Sequence, residues 1–309
     1  MIYTVTLNPA VDRELTVDEI TFNTVLRASD LRIDCGGKGF NVARMLKSLK
    51  VSSLALGFAA GKNGDFLKTA LQSLKINTDF VWVKGETRTN VSIVRAGHDS
   101  YIKVNEPGPV ISKANTKDLL QKIETLVQHG DWWILAGSLP PGISPDIYTR
   151  MTSLLKSAGA KVILDTSGPG LKKNFEAKPF LVKPNDAEAS AVTGLEVDTP
   201  AQIVKTARKI QKMGPTHVIV SLGKAGAILV DSDETWLASS PEIIEKNPIG
   251  AGDSMVAGIV WGLSSGSDMK EALRRGIACG AATASKSGTE LGSLEQINQL
   301  LPQIKMTRI

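Results

Sequence analysis

Residues 203–222, IVKTARKIQKMGPTHVIVSL, change period partway along. Ile203, Ala207 and Ile210 recur at the spacing of one helix face. From His217 to Leu222 the residues are instead apolar and rich in β-branched side chains, the pattern of a strand. The same alternation extends along most of the chain. Strand-like runs occupy Ile2–Leu7, Leu54–Phe58, Phe80–Val83, Val91–Ala96, Trp132–Ala136, Lys161–Leu164, Phe180–Val182 and Ala227–Val230, with amphipathic stretches between several of them. One such stretch carries Val42, Met45, Leu46 and Leu49 at i, i+3, i+4 and i+7. Strand followed by helix, repeated, predicts an α/β fold with a mainly parallel central sheet and helices on both faces. A β-sandwich and an all-helical bundle both fail this pattern.

Residues 12–35 and 85–106 break the alternation, because they hold strand-like segments with no helix between them. They read as a small β-layer projecting from the sheet edge of a single domain, 1–309. Such a layer could cover a site as a lid, and its open edge invites pairing with a second subunit; a homodimer through the lid is the expectation.

The chain has 309 residues, 42% hydrophobic and 22% charged, enough for a buried core. The net charge of +5 is spread out with no long basic run, so neither nucleic acid nor membrane is implied as a partner. Cys35 and Cys279 are far apart without metal-ligand spacing, which argues against zinc and fits two reduced thiols. The opening residues alternate like a strand and do not read as a signal peptide, and the longest apolar stretch, Met255–Leu263, is too short to span a bilayer. A cytoplasmic location is expected.

In open α/β sheets ligands bind beyond the carboxyl ends of the strands, and four turns there are unusual. Asn247-Pro248-Ile249-Gly250-Ala251-Gly252-Asp253 runs into a helical stretch of small residues. Free N–H groups at a helix start form an anion site, and glycines admit a phosphate closely. Asp253 reads either as a cap or as a base beside that site. Cys35-Gly36-Gly37-Lys38-Gly39-Phe40-Asn41 opens a second helix, reading as an anion or polyhydroxyl site or as a tight turn with a surface lysine. Val220-Ser221-Leu222-Gly223-Lys224-Ala225-Gly226-Ala227 is a hairpin turn or a loop over nucleotide phosphates. In Lys183-Pro184-Asn185-Asp186-Ala187-Glu188 the acids suit a first helical turn, and Asn185 with Glu188 could position Mg²⁺ through water.

In this order the four motifs resemble the ribokinase-like (PfkB) family of carbohydrate kinases, and the resemblance covers essentially the whole chain. Gly250-Ala251-Gly252-Asp253 is its specific element and Gly36-Gly37-Lys38-Gly39 with Asn41 the usual partner. Thr6-Leu7-Asn8-Pro9-Ala10-Val11-Asp12-Arg13, Gly85-Glu86-Thr87-Arg88-Thr89-Asn90 and Gly137-Ser138-Leu139-Pro140-Pro141-Gly142 are similar to the branch that phosphorylates ketose phosphates, the 1-phosphofructokinases and tagatose-6-phosphate kinases.

The resemblance implies a ribokinase-like fold and a kinase using ATP and Mg²⁺. Asp253 matches the catalytic base, and Gly250, Ala251 and Gly252 the anion hole. Asp12, Gly37 and Asn41 match positions that hold sugar hydroxyls, with Asn90 in the same substrate set. Lys38, Arg88, Lys103 and Ser138 match the phosphate side of the sugar site. Lys183, Ser221, Gly223, Gly226 and Gly252 match the ATP site, and Asn185 and Glu188 the magnesium element. Members acting on fructose 6-phosphate often read G-G-G-G where this chain has Lys38, and carry a phosphate lysine where it has Val25. Arg13 after Asp12 is more similar to the 1-phosphofructokinases. The implied reaction is fructose 1-phosphate to fructose 1,6-bisphosphate, with tagatose 6-phosphate or another sugar of the family as the alternative. An NAD-dependent dehydrogenase would need G-x-G-x-x-G after a strand, which is absent. A silent sugar-phosphate sensor would have no need of Asp253.

Overall fold

The computed structural model describes residues 1–97, 100–167, 171–232 and 234–309. β1 (Ile2–Thr6) leads into β2 (Ala10–Val17) and β3 (Asp30–Gly36), then α1 (Lys38–Ser48), β4 (Leu54–Ala59), α2 (Gly61–Ser73) and β5 (Asn77–Trp82). A second excursion carries β6 (Arg88–Arg95) and β7 (Tyr101–Asn105). Then follow α3 (Lys113–Leu126), β8 (Trp132–Ala136), α4 (Ile147–Ser157), β9 (Lys161–Asp165), α5 (Leu171–Phe175), β10 (Leu181–Val182), α6 (Asp186–Thr193) and α7 (Pro200–Gln211). β11 (His217–Ser221), β12 (Ala227–Val230) and β13 (Thr235–Ala238) precede α8 (Ala251–Ser264), α9 (Met269–Ala284), α10 (Leu294–Leu300) and β14 (Met306–Arg308).

The central sheet has the order β14-β13-β12-β11-β10-β9-β8-β1-β4-β5. From β5 to β11 every pairing is parallel; β12, β13 and β14 extend the sheet antiparallel. Consecutive strand residues point to opposite faces. Ile134 accordingly enters a core shared with α1, α8, α9 and α10, and Leu135 one shared with α3, α4 and α7. Glycines let α8 and α9 approach closely: a Cβ on Gly258 would lie 2.5 Å from the Arg275 carbonyl oxygen, and one on Gly276 2.9 Å from that of Met255. This contact fixes where α8 begins. Among the described residues no helix is long and apolar enough to cross a membrane.

The two excursions form one separate four-stranded sheet, β3-β2-β6-β7. Its register sorts the side chains into rows. Ile33, Arg13, Val91 and Val104 form one row, and Leu31, Leu15, Ile93 and Ile102 the next, all on one face. The opposite face carries Asp34, Asp12, Asn90 and Asn105, then Arg32, Glu14, Ser92 and Lys103. The polar face is tied to the core, for Arg32 donates to the Ser287 carbonyl at 3.3 Å and pairs with Glu290 at 3.7 Å.

Candidate active site

The carboxyl ends of β1, β8, β9, β10 and β11 meet the N-termini of α1 and α8. Gly250 caps α8 with φ +81°, a left-handed conformation that favours glycine. The Ala251 amide donates to the Pro248 carbonyl and the Ser254 amide to that of Gly250. This leaves the N–H groups of Gly252 and Asp253 as open donors of the first turn. Asp253 is buried. Its Oδ2 accepts from Asn41 Nδ2 at 2.9 Å, and its Oδ1 lies 3.8 Å from Lys38 Nζ.

Four charges share this spot. Asp165, at the end of β9, meets Lys38 through Oδ2 at 3.0 Å and Lys183 through Oδ1 at 3.3 Å. Burial works against the Asp165 charge, but the two lysines outweigh it and hold its carboxyl below the usual range. Burial pushes Asp253 up; Asp165 adds to the rise, while Lys38, Asn41 and Lys183 only partly counter it. Burial also disfavours the Lys38 charge, yet Asp165 and Asp253 together keep its ammonium above the ordinary lysine range.

A second polar group lines the inner face of the small sheet. Asp12 lies over Gly36, where a Cβ would meet its carboxylate at 2.2 Å, and its Oδ1 accepts from Asn90 Nδ2 at 2.8 Å. Burial raises the Asp12 carboxyl; Asn90, Lys103 and Arg88 oppose the rise. Arg88 donates from Nη1 to the Glu106 carbonyl at 3.1 Å and from Nη2 to that of Asn8 at 2.9 Å, stapling the roots of three strands. Asn8 Oδ1, Arg88 Nε and Asn90 Oδ1 are buried without hydrogen-bond partners, as a site awaiting a polar ligand would leave them. Arg13 pairs across the sheet with Ile33 and Val91, so it occupies the apolar face, opposite Asp12. Val25 is exposed between β2 and β3.

Beside α8 opens a cavity of about 900 Å³ lined by Asn185, Ser221, Gly223, Gly226, Gly252 and the apolar Ile243, Met255 and Ile277. β11 and β12 form the antiparallel hairpin, and their turn also walls the cavity. Gly226 has φ +97°, and a Cβ there would lie 1.9 Å from the Ala238 carbonyl oxygen. Lys183 Nζ is 3.6 Å from the Cβ position of Gly252. Asn185 and Glu188 form a capping box on α6: Asn185 Oδ1 accepts from the Glu188 amide at 2.7 Å, and the Asn185 amide donates to Glu188 Oε2 at 3.0 Å.

The fold thus joins Lys38, Asn41, Lys183 and Asp253 in one group, and Asp12, Arg88, Asn90 and Lys103 in another. Lys38 sits with the carboxylates and not with Arg88 and Lys103. Gly37 caps α1 at φ +126° against Thr6 and Pro9, and Ser138 is exposed just beyond β8. Sequence reasoning missed Asp165, whose one signal is an acid directly after the apolar run Lys161–Leu164, and Asn8, whose side chain binds the Pro107 carbonyl.

The model of the pfkB family carbohydrate kinases matches residues 5–297. A 1-phosphofructokinase from Bacillus subtilis is 40% identical, covering 100% of both chains. A D-tagatose-1-phosphate kinase from Bacillus licheniformis is 34% identical, again over 100% of both. The crystal structure of phosphofructokinase-2 from Escherichia coli superposes with a TM-score of 0.92 at 30% identity, covering 97% of this chain and 98% of that one.

Proposed function

The chain belongs to the pfkB family of carbohydrate kinases, and on that premise we propose that it moves the γ-phosphoryl group of ATP onto the 6-hydroxyl of fructose 1-phosphate. An ATP-dependent sugar-phosphate kinase is the activity class of its family and relatives. One observation carries the reading: Asp253 is buried beside open N–H donors, with Oδ2 held by Asn41 and Oδ1 turned toward Lys38.

In the reaction the attacking hydroxyl gives its proton to Asp253 Oδ1 as its oxygen bonds to the γ-phosphorus. The bond from that phosphorus to the bridging oxygen breaks, and ADP leaves. A carboxylate raised by burial is a stronger proton acceptor than one in water. The N–H groups of Gly252 and Asp253, with Lys183, face the charge that develops on the transferring group. The roughly 900 Å³ cavity takes the nucleotide, its apolar end the base and its Gly223–Gly226 turn the phosphates. Asp12 and Asn90 hold sugar hydroxyls, and Arg88 and Lys103 supply the positive end for the phosphate already on the sugar.

Among the described residues no three His, Cys, Asp or Glu side chains are grouped to hold a metal directly. Asn185 and Glu188 fit a hydrated Mg²⁺, for the Glu188 carboxylate is half-buried in the capping box and near enough to favour the Lys38 charge. When bound, the ion neutralises charge on the β- and γ-phosphates.

The relative named for D-tagatose 1-phosphate supports a second reading, in which a tagatose phosphate is the acceptor. Two copies pair through the apolar rows of the small sheet, where Leu31, Ile33 and Val104 are 51%, 40% and 59% exposed. The two free, buried cysteines suit a cytoplasmic setting. ADP release measured side by side with fructose 1-phosphate, tagatose 1-phosphate, tagatose 6-phosphate, fructose 6-phosphate and fructose tests the assignment. Free fructose matching fructose 1-phosphate in kcat/KM would overturn it.

A further inference from the structure

Arg44 lies on α1 one turn beyond Asn41 and is half-buried. Its Nη1 donates to Asn41 Oδ1 at 3.4 Å and to the Cys35 carbonyl at 3.3 Å, and its Nη2 donates to the Thr289 carbonyl at 3.2 Å. All three partners are neutral oxygens. The Asn41 amide has two unlike ends. With its oxygen on the guanidinium, the NH₂ end is left to donate to Asp253 Oδ2 at 2.9 Å. Turned over, the amide would set oxygen against the carboxylate and NH₂ against the cation, two repulsive contacts.

We infer that Arg44 is a positioning residue for phosphoryl transfer, orienting the Asn41 amide so that it holds Asp253 Oδ2 and leaves Oδ1 for the substrate hydroxyl. The inference rests on the reading of Asp253 as the base. The other two anchors of Arg44 tie this orientation to the small sheet. Cys35 is the penultimate residue of β3, and Thr289 belongs to the loop that Arg32 of the same strand reaches through Ser287 and Glu290. The base is therefore aligned when the root of that sheet and the 287–290 loop are both seated.

The charged groups that face Asp253 are Lys38 from α1, Asp165 at the end of β9 and Lys183 just after β10. Arg44 acts on it only through Asn41, whose hydrogen bond favours the ionised carboxylate.

The test compares wild type with Arg44→Met, Arg44→Lys, Asn41→Ala, the double variant Arg44→Met/Asn41→Ala and Asp253→Asn, using fructose 1-phosphate and magnesium ATP. Arg44→Met should lower kcat about tenfold, the size of one charge-assisted hydrogen bond, with KM for ATP within about threefold. The acid limb of its pH profile should move to higher pH, because the ionised base loses a donor. Arg44→Lys should recover part of both effects. The double variant should resemble Asn41→Ala alone. An acid limb that stays put in Arg44→Met while Tm falls would make Arg44 merely structural and overturn the inference, as would additive effects in the double variant. If Arg44→Met does not fold, Arg44→Lys carries the same comparison. An active Asp253→Asn, or a wild type inert toward fructose 1-phosphate, would overturn the underlying reading instead. An inactive Asp253→Asn beside an unaltered Arg44→Met overturns this inference alone.

Discussion

Lys183 and Asp165 face each other at 3.3 Å at the carboxyl ends of adjacent parallel strands, their side chains only 4% and 1% exposed. Lys38, 35% exposed, takes the second Asp165 oxygen and leans toward Asp253. Two cations and two carboxylates therefore balance one another before any ligand arrives. The arrangement holds both ammonium groups in place without leaving either buried and unpaired.

Asp165→Ala should lower stability by about 3 kcal/mol, because it strands the buried Lys183. The folded-state carboxyl lies below its ordinary value of 3.8, so ionised Asp165 favours the fold. That contribution is present above 3.8 and is lost as pH falls through the lower folded value. Denaturant midpoints of wild type and variant should converge in strong acid. A gap that stays constant down to acid unfolding would refute the ionic account.

Asp253→Asn should lower kcat by a factor on the order of 10² to 10⁴ with KM for ATP little changed. Retention of more than half the wild-type kcat would sink the assignment. Because burial raises this carboxyl, the acid limb of wild-type kcat/KM should lie above the ordinary 3.8. The sign for stability is opposite to that of Asp165, since a raised acid opposes folding once ionised. At neutral pH the Asn variant should melt no lower than wild type.

Much of this was legible in the sequence, for reasons that differ by element. Trp132–Ala136 and Ala227–Val230 were located to the residue because buried strands need unbroken apolar runs. β13 and β14 were missed; Thr235–Ala238 and Met306–Arg308 are too short for a period, and partner strands define them. The turn ahead of α8 was visible because glycine and a carboxylate are chemically conspicuous there. The partners of Lys38 were not, since a helix-start lysine can swing toward either polar group and only the tertiary position of Asp165 decides. Nor does spacing reveal that Asn41 meets Asp253 across most of the chain.

Arg88→Ala and Lys103→Ala should each raise KM for the sugar phosphate about ten- to a hundredfold, with KM for ATP within a few-fold. Their Tm values should separate them. Arg88 staples Asn8 to Glu106, so its loss should lower Tm, whereas exposed Lys103 should leave it unchanged. Wild-type kinetics in both would remove the phosphate-binding role.

Ile33→Asp places a charge in the apolar outer row, on the edge strand β3, with Arg13 as its direct cross-strand neighbour. Light scattering should find a dimer in wild type and a monomer in the variant at the same concentration. A wild type that is monomeric at all concentrations would rule out this interface.

The position of β1 has a consequence for biosynthesis. Its two neighbours are β4 and β8, so one edge of the first strand stays open until residues 132–136 have been synthesised. Asp253 follows later still, and its placement waits on the packing of α8 against α9. At translation rates of ~5–20 residues per second, roughly 6–23 s separate the closing of that edge from the synthesis of Asp253. Throughout that interval the nascent chain can build its small sheet and yet lack the carboxylate proposed as the base. A fragment released by stalled translation, or by proteolysis ahead of α8, should for the same reason be chemically inert toward ATP.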